Sequence, residues 1–123
     1  MQRGVILFVE DEVMARAIVA EELREHGYVV IEAATTDEAM QVLESDLDLD
    51  LVIVDVRMTG ALDNLSLIDR IQSDFPDLKL LLAMEDSARA SSTIKADAYF
   101  TKPYPFPQLL VQIKSLLATK PGS

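Results

Sequence analysis

Cysteine is absent from this sequence of 123 residues, and histidine occurs once, at position 26. Without cysteine the chain can form no disulfide, no thiolate metal site and no cysteine nucleophile. The sequence also lacks any apolar run of the roughly 20 residues that a membrane-spanning helix needs, and residues 1–8 are too short for a signal peptide. We therefore expect no contact with a membrane and a cytoplasmic location.

Basic residues are scarce, since 11 lysines and arginines face 21 acids and the formal net charge is -10. Binding to a nucleic-acid backbone depends on clusters of basic side chains, so we expect no nucleic acid partner. An acidic surface attracts a divalent ion or a basic partner instead. The length suits a single core, and we expect one domain over residues 1–118 followed by a flexible tail or the start of a linker over residues 119–123.

Two fully apolar runs end in carboxylates. Val5–Val9 is followed by Glu10 and Asp11, and the run over residues 51–54 is followed directly by Asp55. Unbroken apolar runs of this length are typical of strands that are buried on both faces of a parallel sheet. Ligands bind at the carboxyl ends of such strands, so these acids are candidates for chemistry.

The rest of the chain alternates helical and β-rich patterns. Helices are predicted over residues 13–26, 36–43, 65–75 and 107–117, and strands over residues 28–33, 79–84 and 98–101. Thr36 is the predicted N-cap of the second of these helices. Between the strands at 79–84 and 98–101 we expect a short, loosely held fourth helix. The alternation predicts an α/β fold with a doubly wound, five-stranded parallel sheet in the flavodoxin-like order 2-1-3-4-5.

In that order strands one and three are neighbours about 4.8 Å apart, which brings Glu10, Asp11 and Asp55 to one crevice. Crowded carboxylates recruit a cation. Oxygen ligands without histidine or cysteine favour a hard ion such as Mg²⁺. Lys102, at the end of the fifth strand, can reach across the crevice as a positive charge for a phosphoryl oxygen.

The segments VILFVEDE, LVIVDVRMTG and YFTKPY, in this order and spacing, resemble the receiver domain of two-component response regulators. The resemblance implies that Asp55 accepts a phosphoryl group from a phosphohistidine on a sensor histidine kinase or a phosphotransfer protein. It implies that Asp11, Asp55 and the backbone carbonyl of Arg57 bind Mg²⁺, with Glu10 acting through a water. Lys102 would pair with the phosphoryl group.

The resemblance also implies how the signal leaves the domain. Phosphorylation would change the face formed by the fourth helix, the fifth strand and the last helix, which would dock a downstream protein target, a fused output domain or a second copy of the chain. Enzyme activity would be limited to self-phosphorylation and autodephosphorylation.

The sequence departs from the family where the switch residues lie. Strand four usually ends in a threonine or serine that binds the phosphoryl group, but this chain has Ala83 there, and the nearest hydroxyl is Ser87. Tyr99 matches the family's switch aromatic, although a tyrosine on the fifth strand can also simply cover the core. His26 is expected to be structural, because it falls at a helix end.

Three other functions are alternatives to the phosphoacceptor. An atypical receiver could act as a protein-binding module without the usual switch. A flavin carrier on the same fold would need a phosphate loop rich in glycine and hydroxyls after strand one, and the acids there would repel phosphate. An aspartate phosphatase normally has a second acid two residues after the nucleophile, where this chain has Arg57.

Overall fold

The computed structural model describes residues 4–55, 61–84, 95–101 and 105–118. Five parallel strands form one sheet in the order β2-β1-β3-β4-β5. This confirms the predicted α/β fold and strand order. The predicted fourth helix and the tail over residues 119–123 lie outside the described residues.

The strands are β1 Val5–Val9, β2 Val29–Ala33, β3 Leu51–Asp55, β4 Lys79–Met84 and β5 Ala98–Thr101. The helices in the described part of the chain are α1 Val13–Glu25, α2 Thr36–Glu44, α3 Ala61–Asp74 and a C-terminal helix, Phe106–Ala118. None of these helices has the length and apolar composition that crossing a bilayer requires.

The helix starts differ from the predictions in three places, of which the C-terminal helix, beginning one residue early at Phe106, is the smallest. Thr35, rather than Thr36, caps α2: it has extended backbone angles, and its hydroxyl accepts the Glu38 N–H at 3.1 Å. Adjacent threonines offer the same hydroxyl, so the sequence alone did not separate them. Helix α3 begins at Ala61, four residues before the predicted start, because the polar pair Asp63 and Asn64 is also typical of a loop.

Each face of the sheet has its own apolar cluster, because successive side chains of a strand point to opposite faces. One cluster packs α2 and α3 against alternate residues of the central strands. It includes Leu7, Val52 and Val54 of the strands and Leu67 and Ile71 of α3. The other packs α1 and the C-terminal helix against the opposite face, with Phe8, Ile53, Leu23, Leu109 and Ile113. Burial on both faces explains why the β1 and β3 sequences are apolar without interruption.

Helix α1 ends where the sequence predicts. Gly27 has a φ of +94°, the left-handed conformation that favours glycine, and its N–H donates to the Arg24 carbonyl at 3.0 Å. The His26 Nδ1 atom lies 2.9 Å from the Glu22 carbonyl oxygen. Its ring centroid is 5.3 Å from that of Phe106, so its contacts are with helix ends.

Candidate functional site

The acids that follow β1 and β3 meet at one edge of the sheet. Val9 pairs with Val54 in the parallel register, which places Glu10 and Asp55 at neighbouring strand ends. Glu10 and Asp55 are each 1% exposed, whereas Asp11 is exposed. One carboxylate oxygen from each of the three residues lies within 4.8 Å of the others. We call these three residues the acidic pocket; the sequence predicted that they would meet.

The loop that carries two of these acids is held by main-chain hydrogen bonds. The Glu10 N–H donates to the Ala33 carbonyl of β2 at 3.0 Å. Glu10 Oε2 accepts the Glu12 N–H at 3.1 Å. Glu12 is also the N-cap of α1, since its carboxylate accepts the N–H groups of Met14 at 3.1 Å and Ala15 at 3.0 Å. The sequence did not reveal this cap, because glutamate is not among the residues preferred at N-caps.

Arg16 is a second residue that sequence reasoning missed. Its Nη1 donates to the Glu10 carbonyl oxygen at 2.9 Å, and its Nε donates to Glu32 Oε1 at 3.2 Å. Arg24 binds the other oxygen of Glu32 at 3.0 Å and donates to the Val30 carbonyl at 2.7 Å. Both arginines lie at polar positions of the predicted helix over residues 13–26. The spacing of polar and apolar residues in that helix does not indicate their partners, which lie in the loop after β1 and on β2.

At the switch position, the β3–β4 register pairs Ala83 with Asp55. Ala83 is buried beside the acidic pocket. Met84, the last residue of β4, packs in the cluster that α2 and α3 form with the sheet. Tyr99 is packed against the same cluster. Strand β4 itself has the sequence KLLLAM, so it presents no hydroxyl to the pocket.

Tyr99 is half-buried and held by the chain before β5. Its hydroxyl oxygen accepts the Ala96 N–H at 2.9 Å. Three further residues that the sequence analysis names for this site lie outside the described residues: Arg57, Ser87 and Lys102.

The acidic pocket contains only oxygen ligands, from three carboxylates. Such a set fits a hard divalent cation that keeps part of its water shell, as Mg²⁺ does. It does not fit a zinc site, which would be expected to include nitrogen or sulfur ligands. A buried aspartate at a strand end, next to such a cation site, has the position required of a nucleophile towards a phosphoryl group.

The family model of the response regulator receiver domain matches residues 6–114. The chain therefore belongs to the receiver domain family of response regulators, as the sequence motifs indicated.

Curated relatives place this domain in longer proteins. Sensor kinase CckA of Brucella abortus is 32% identical over 117 residues, which is 91% of this chain and 12% of that protein. The phosphate regulon transcriptional regulatory protein PhoB of Pseudomonas aeruginosa is 31% identical, over 95% of this chain and 53% of that protein. The chain thus spans about half or less of the length of these relatives.

Solved structures agree with the fold. The response regulator TrrA of Thermotoga maritima, determined in complex with Mg²⁺ and BeF, is 32% identical and superposes with a TM-score of 0.80, covering 92% of this chain and 98% of that one. The receiver domain of the hybrid histidine kinase CckA is 31% identical with a TM-score of 0.76, covering 93% of this chain and 99% of that one.

Proposed function

We propose that this chain is a phosphoacceptor in which Asp55 receives a phosphoryl group from a phosphohistidine on a sensor histidine kinase or a phosphotransfer protein. The observation that carries the proposal is the placement of Asp55, which is buried at the end of β3 with carboxylate oxygens of Glu10 and Asp11 within 4.8 Å. A buried carboxylate beside two other acids costs stability, so the arrangement favours a functional role for Asp55.

The proposed transfer is an in-line displacement at phosphorus. A carboxylate oxygen of Asp55 forms the new P–O bond while the P–N bond to the donor imidazole breaks, and the electron pair of that bond stays on the imidazole nitrogen. The charge on the transferred oxygens must be neutralised during this step. Glu10 and Asp11 would oppose an incoming phosphoryl group unless a cation offsets their charge.

Glu10, Asp11 and Asp55 are the described residues that would hold Mg²⁺, with the backbone carbonyl of Arg57 as the further ligand that the family resemblance implies. When bound, the ion supplies positive charge to the phosphoryl oxygens. Lys102 is proposed as a second source of positive charge. The relative TrrA was solved with Mg²⁺ and BeF, which supports the same ligand chemistry here.

For signal output we propose the face formed by β5 and the C-terminal helix, together with the segment that precedes β5. An open groove of about 500 Å³ lies on this face, and Val111 at its wall is 67% exposed. Its lining is mainly apolar and consists of Phe100, Pro107, Gln108, Val111, Gln112 and Ser115. The expected occupant is a downstream protein, a fused output domain or a second copy of the chain.

A second candidate function is an atypical receiver that acts by protein contact without the usual switch. Two observations favour it: Ala83 offers no hydroxyl beside Asp55, and the Tyr99 hydroxyl is engaged by the Ala96 N–H. In this alternative the output face keeps one conformation whether or not Asp55 is modified.

The phosphoacceptor proposal is tested by incubating the purified chain with acetyl phosphate and Mg²⁺ and recording intact masses. The wild type is expected to gain the mass of one phosphoryl group, and Asp55→Asn is expected to gain none. Asp48→Asn, which removes an exposed carboxylate just before β3, is the matched control and should be modified normally. No modification of the wild type, or equal modification of Asp55→Asn, would contradict the proposal.

A further inference from the structure

Arg16 joins the backbone of the acidic pocket to the outer strand of the sheet. Its Nη1 donates to the Glu10 carbonyl oxygen at 2.9 Å. That carbonyl belongs to the peptide group that links Glu10 to Asp11, and peptide groups are planar. The orientation of this one group therefore influences where both acidic side chains project.

The Glu10 residue is held at both of its main-chain polar groups. Its N–H donates to the Ala33 carbonyl at 3.0 Å, and its carbonyl accepts from Arg16. The hydrogen bond to β2 fixes the N–H end of the residue, and Arg16 fixes the carbonyl end, which carries the peptide group before Asp11. We infer that Arg16 is a positioning residue for the cation site, holding the Glu10–Asp11 peptide group so that both carboxylates face Asp55.

Arg16 is itself held in place. Its Nε donates to Glu32 Oε1 at 3.2 Å, and its side chain is 17% exposed. A guanidinium group is a planar fork of donors, so hydrogen bonds to two separate acceptors fix its position and tilt. Arg24 binds the other oxygen of the same glutamate at 3.0 Å, with a side chain that is 47% exposed.

The charge of Arg16 and its position act on a bound cation in opposite directions. A positive charge near the pocket repels Mg²⁺, so loss of the charge alone would tighten binding. Loss of the hydrogen bond to Glu10 would misplace two carboxylates and weaken binding. The sign of the change therefore separates the two effects.

Arg24 provides the matched control. It pairs with the same Glu32 and carries the same charge as Arg16, but its second hydrogen bond goes to the Val30 carbonyl of β2. Arg16→Gln and Arg24→Gln thus change the net charge equally, and only Arg16→Gln removes the bond to the Glu10 carbonyl.

The experiment is a titration of the full, metal-free chain with Mg²⁺, followed through amide NMR shifts of Asp11 and Asp55. Loss of groups that orient metal ligands typically weakens metal binding by 10–100-fold, so Arg16→Gln is expected to raise the Mg²⁺ dissociation constant about tenfold. Arg24→Gln is expected to bind within about twofold of the wild type, since exposed charges are well screened. Equal dissociation constants in the two variants, or tighter binding by Arg16→Gln, would overturn the inference.

Arg16→Lys keeps the charge and is the second variant. One ammonium group cannot reproduce the planar fork to the Glu10 carbonyl and Glu32, so its Mg²⁺ binding is expected to be weaker than that of the wild type. Thermal unfolding without Mg²⁺ shows which variants are folded, and if Arg16→Gln is not, Arg16→Lys decides the matter: wild-type affinity in it overturns the inference.

This inference rests on the proposed cation site. If the wild type bound no Mg²⁺, both the site and the role of Arg16 would be overturned. If the wild type bound Mg²⁺ and the two glutamine variants bound it equally, the site would stand and only the role of Arg16 would fall.

Discussion

The carboxyl edge of the sheet has two halves with different chemistry. At β1 and β3, Glu10 and Asp55 are buried carboxylates close to Asp11. At the end of β4, which pairs with β5, Ala83 and Met84 are apolar and buried. Buried carboxylates oppose folding and apolar side chains favour it, so one half is arranged for chemistry at a cost in stability, while the other is arranged as core.

This difference teaches that the acidic pocket and the apolar packing beside it have separate structural supports. The acidic pocket depends on β1, β3 and the loop after β1, where Glu10 donates to Ala33 and accepts from Glu12 and Arg16. The β4–β5 half depends on apolar packing and the Tyr99–Ala96 hydrogen bond. We therefore expect that changes in one half leave the supporting contacts of the other in place.

The largest expected effect falls on the acidic half. Asp11→Asn removes a charged ligand from the proposed cation site and is expected to weaken Mg²⁺ binding by at least about tenfold, measured by calorimetry. Asp37→Asn, which changes an acid in the first turn of α2, should leave the affinity unchanged. Similar Mg²⁺ affinities for both variants would show that Asp11 is not a ligand of the cation.

A stability measurement sharpens the contrast between chemistry and core. Asp55→Asn removes one of three neighbouring negative charges, and in metal-free solution it is expected to raise the free energy of unfolding by about 1 kcal/mol. Urea unfolding with EDTA present checks this. Excess Mg²⁺ should stabilise the wild type and have less effect on the variant, because binding to the native state is what stabilises it. A destabilised Asp55→Asn protein would show that Asp55 supports the fold.

The hydrogen bond of Tyr99 tests the other half. Tyr99→Phe leaves the Ala96 N–H without its present acceptor and is expected to lower the free energy of unfolding by about 0.5–1.5 kcal/mol. Its Mg²⁺ affinity should equal that of the wild type. Tyr28→Phe, which removes the hydroxyl of another half-buried tyrosine, is the control and should cost less. A changed Mg²⁺ affinity in Tyr99→Phe would show that the halves are coupled.

The smallest expected effect comes from restoring a hydroxyl. Ala83→Ser adds one oxygen beside Asp55 in the β3–β4 register, and the change in stability is expected to stay within about 1 kcal/mol. With beryllofluoride and Mg²⁺ bound, amide shift changes should extend to Tyr99 in the variant more than in the wild type. Identical shift patterns would mean that a hydroxyl at this position does not link the two halves.

Much of the fold follows from local patterns. The apolar runs before Glu10 and Asp55 predicted strands that are covered on both faces. The parallel arrangement of these two strands brings the acids together. Gly27 marked the end of α1 because few other residues adopt its φ of +94°.

The supporting contacts did not follow from the sequence. Arg16 bonds to a main-chain carbonyl in the preceding loop and to a side chain on β2, and such partners leave no periodic signal. Glu12 caps α1 with a residue type that caps rarely use. The choice between Thr35 and Thr36 depended on a backbone angle and not on chemistry.

The most direct test of the account is a beryllofluoride titration of the full chain with and without Mg²⁺, followed by amide NMR. We expect saturable, Mg²⁺-dependent binding with shift changes at Glu10, Asp11 and Asp55, and no binding by Asp55→Asn. Absence of binding in the presence of Mg²⁺, or binding that survives in Asp55→Asn, would contradict the assignment of Asp55 as the phosphoacceptor.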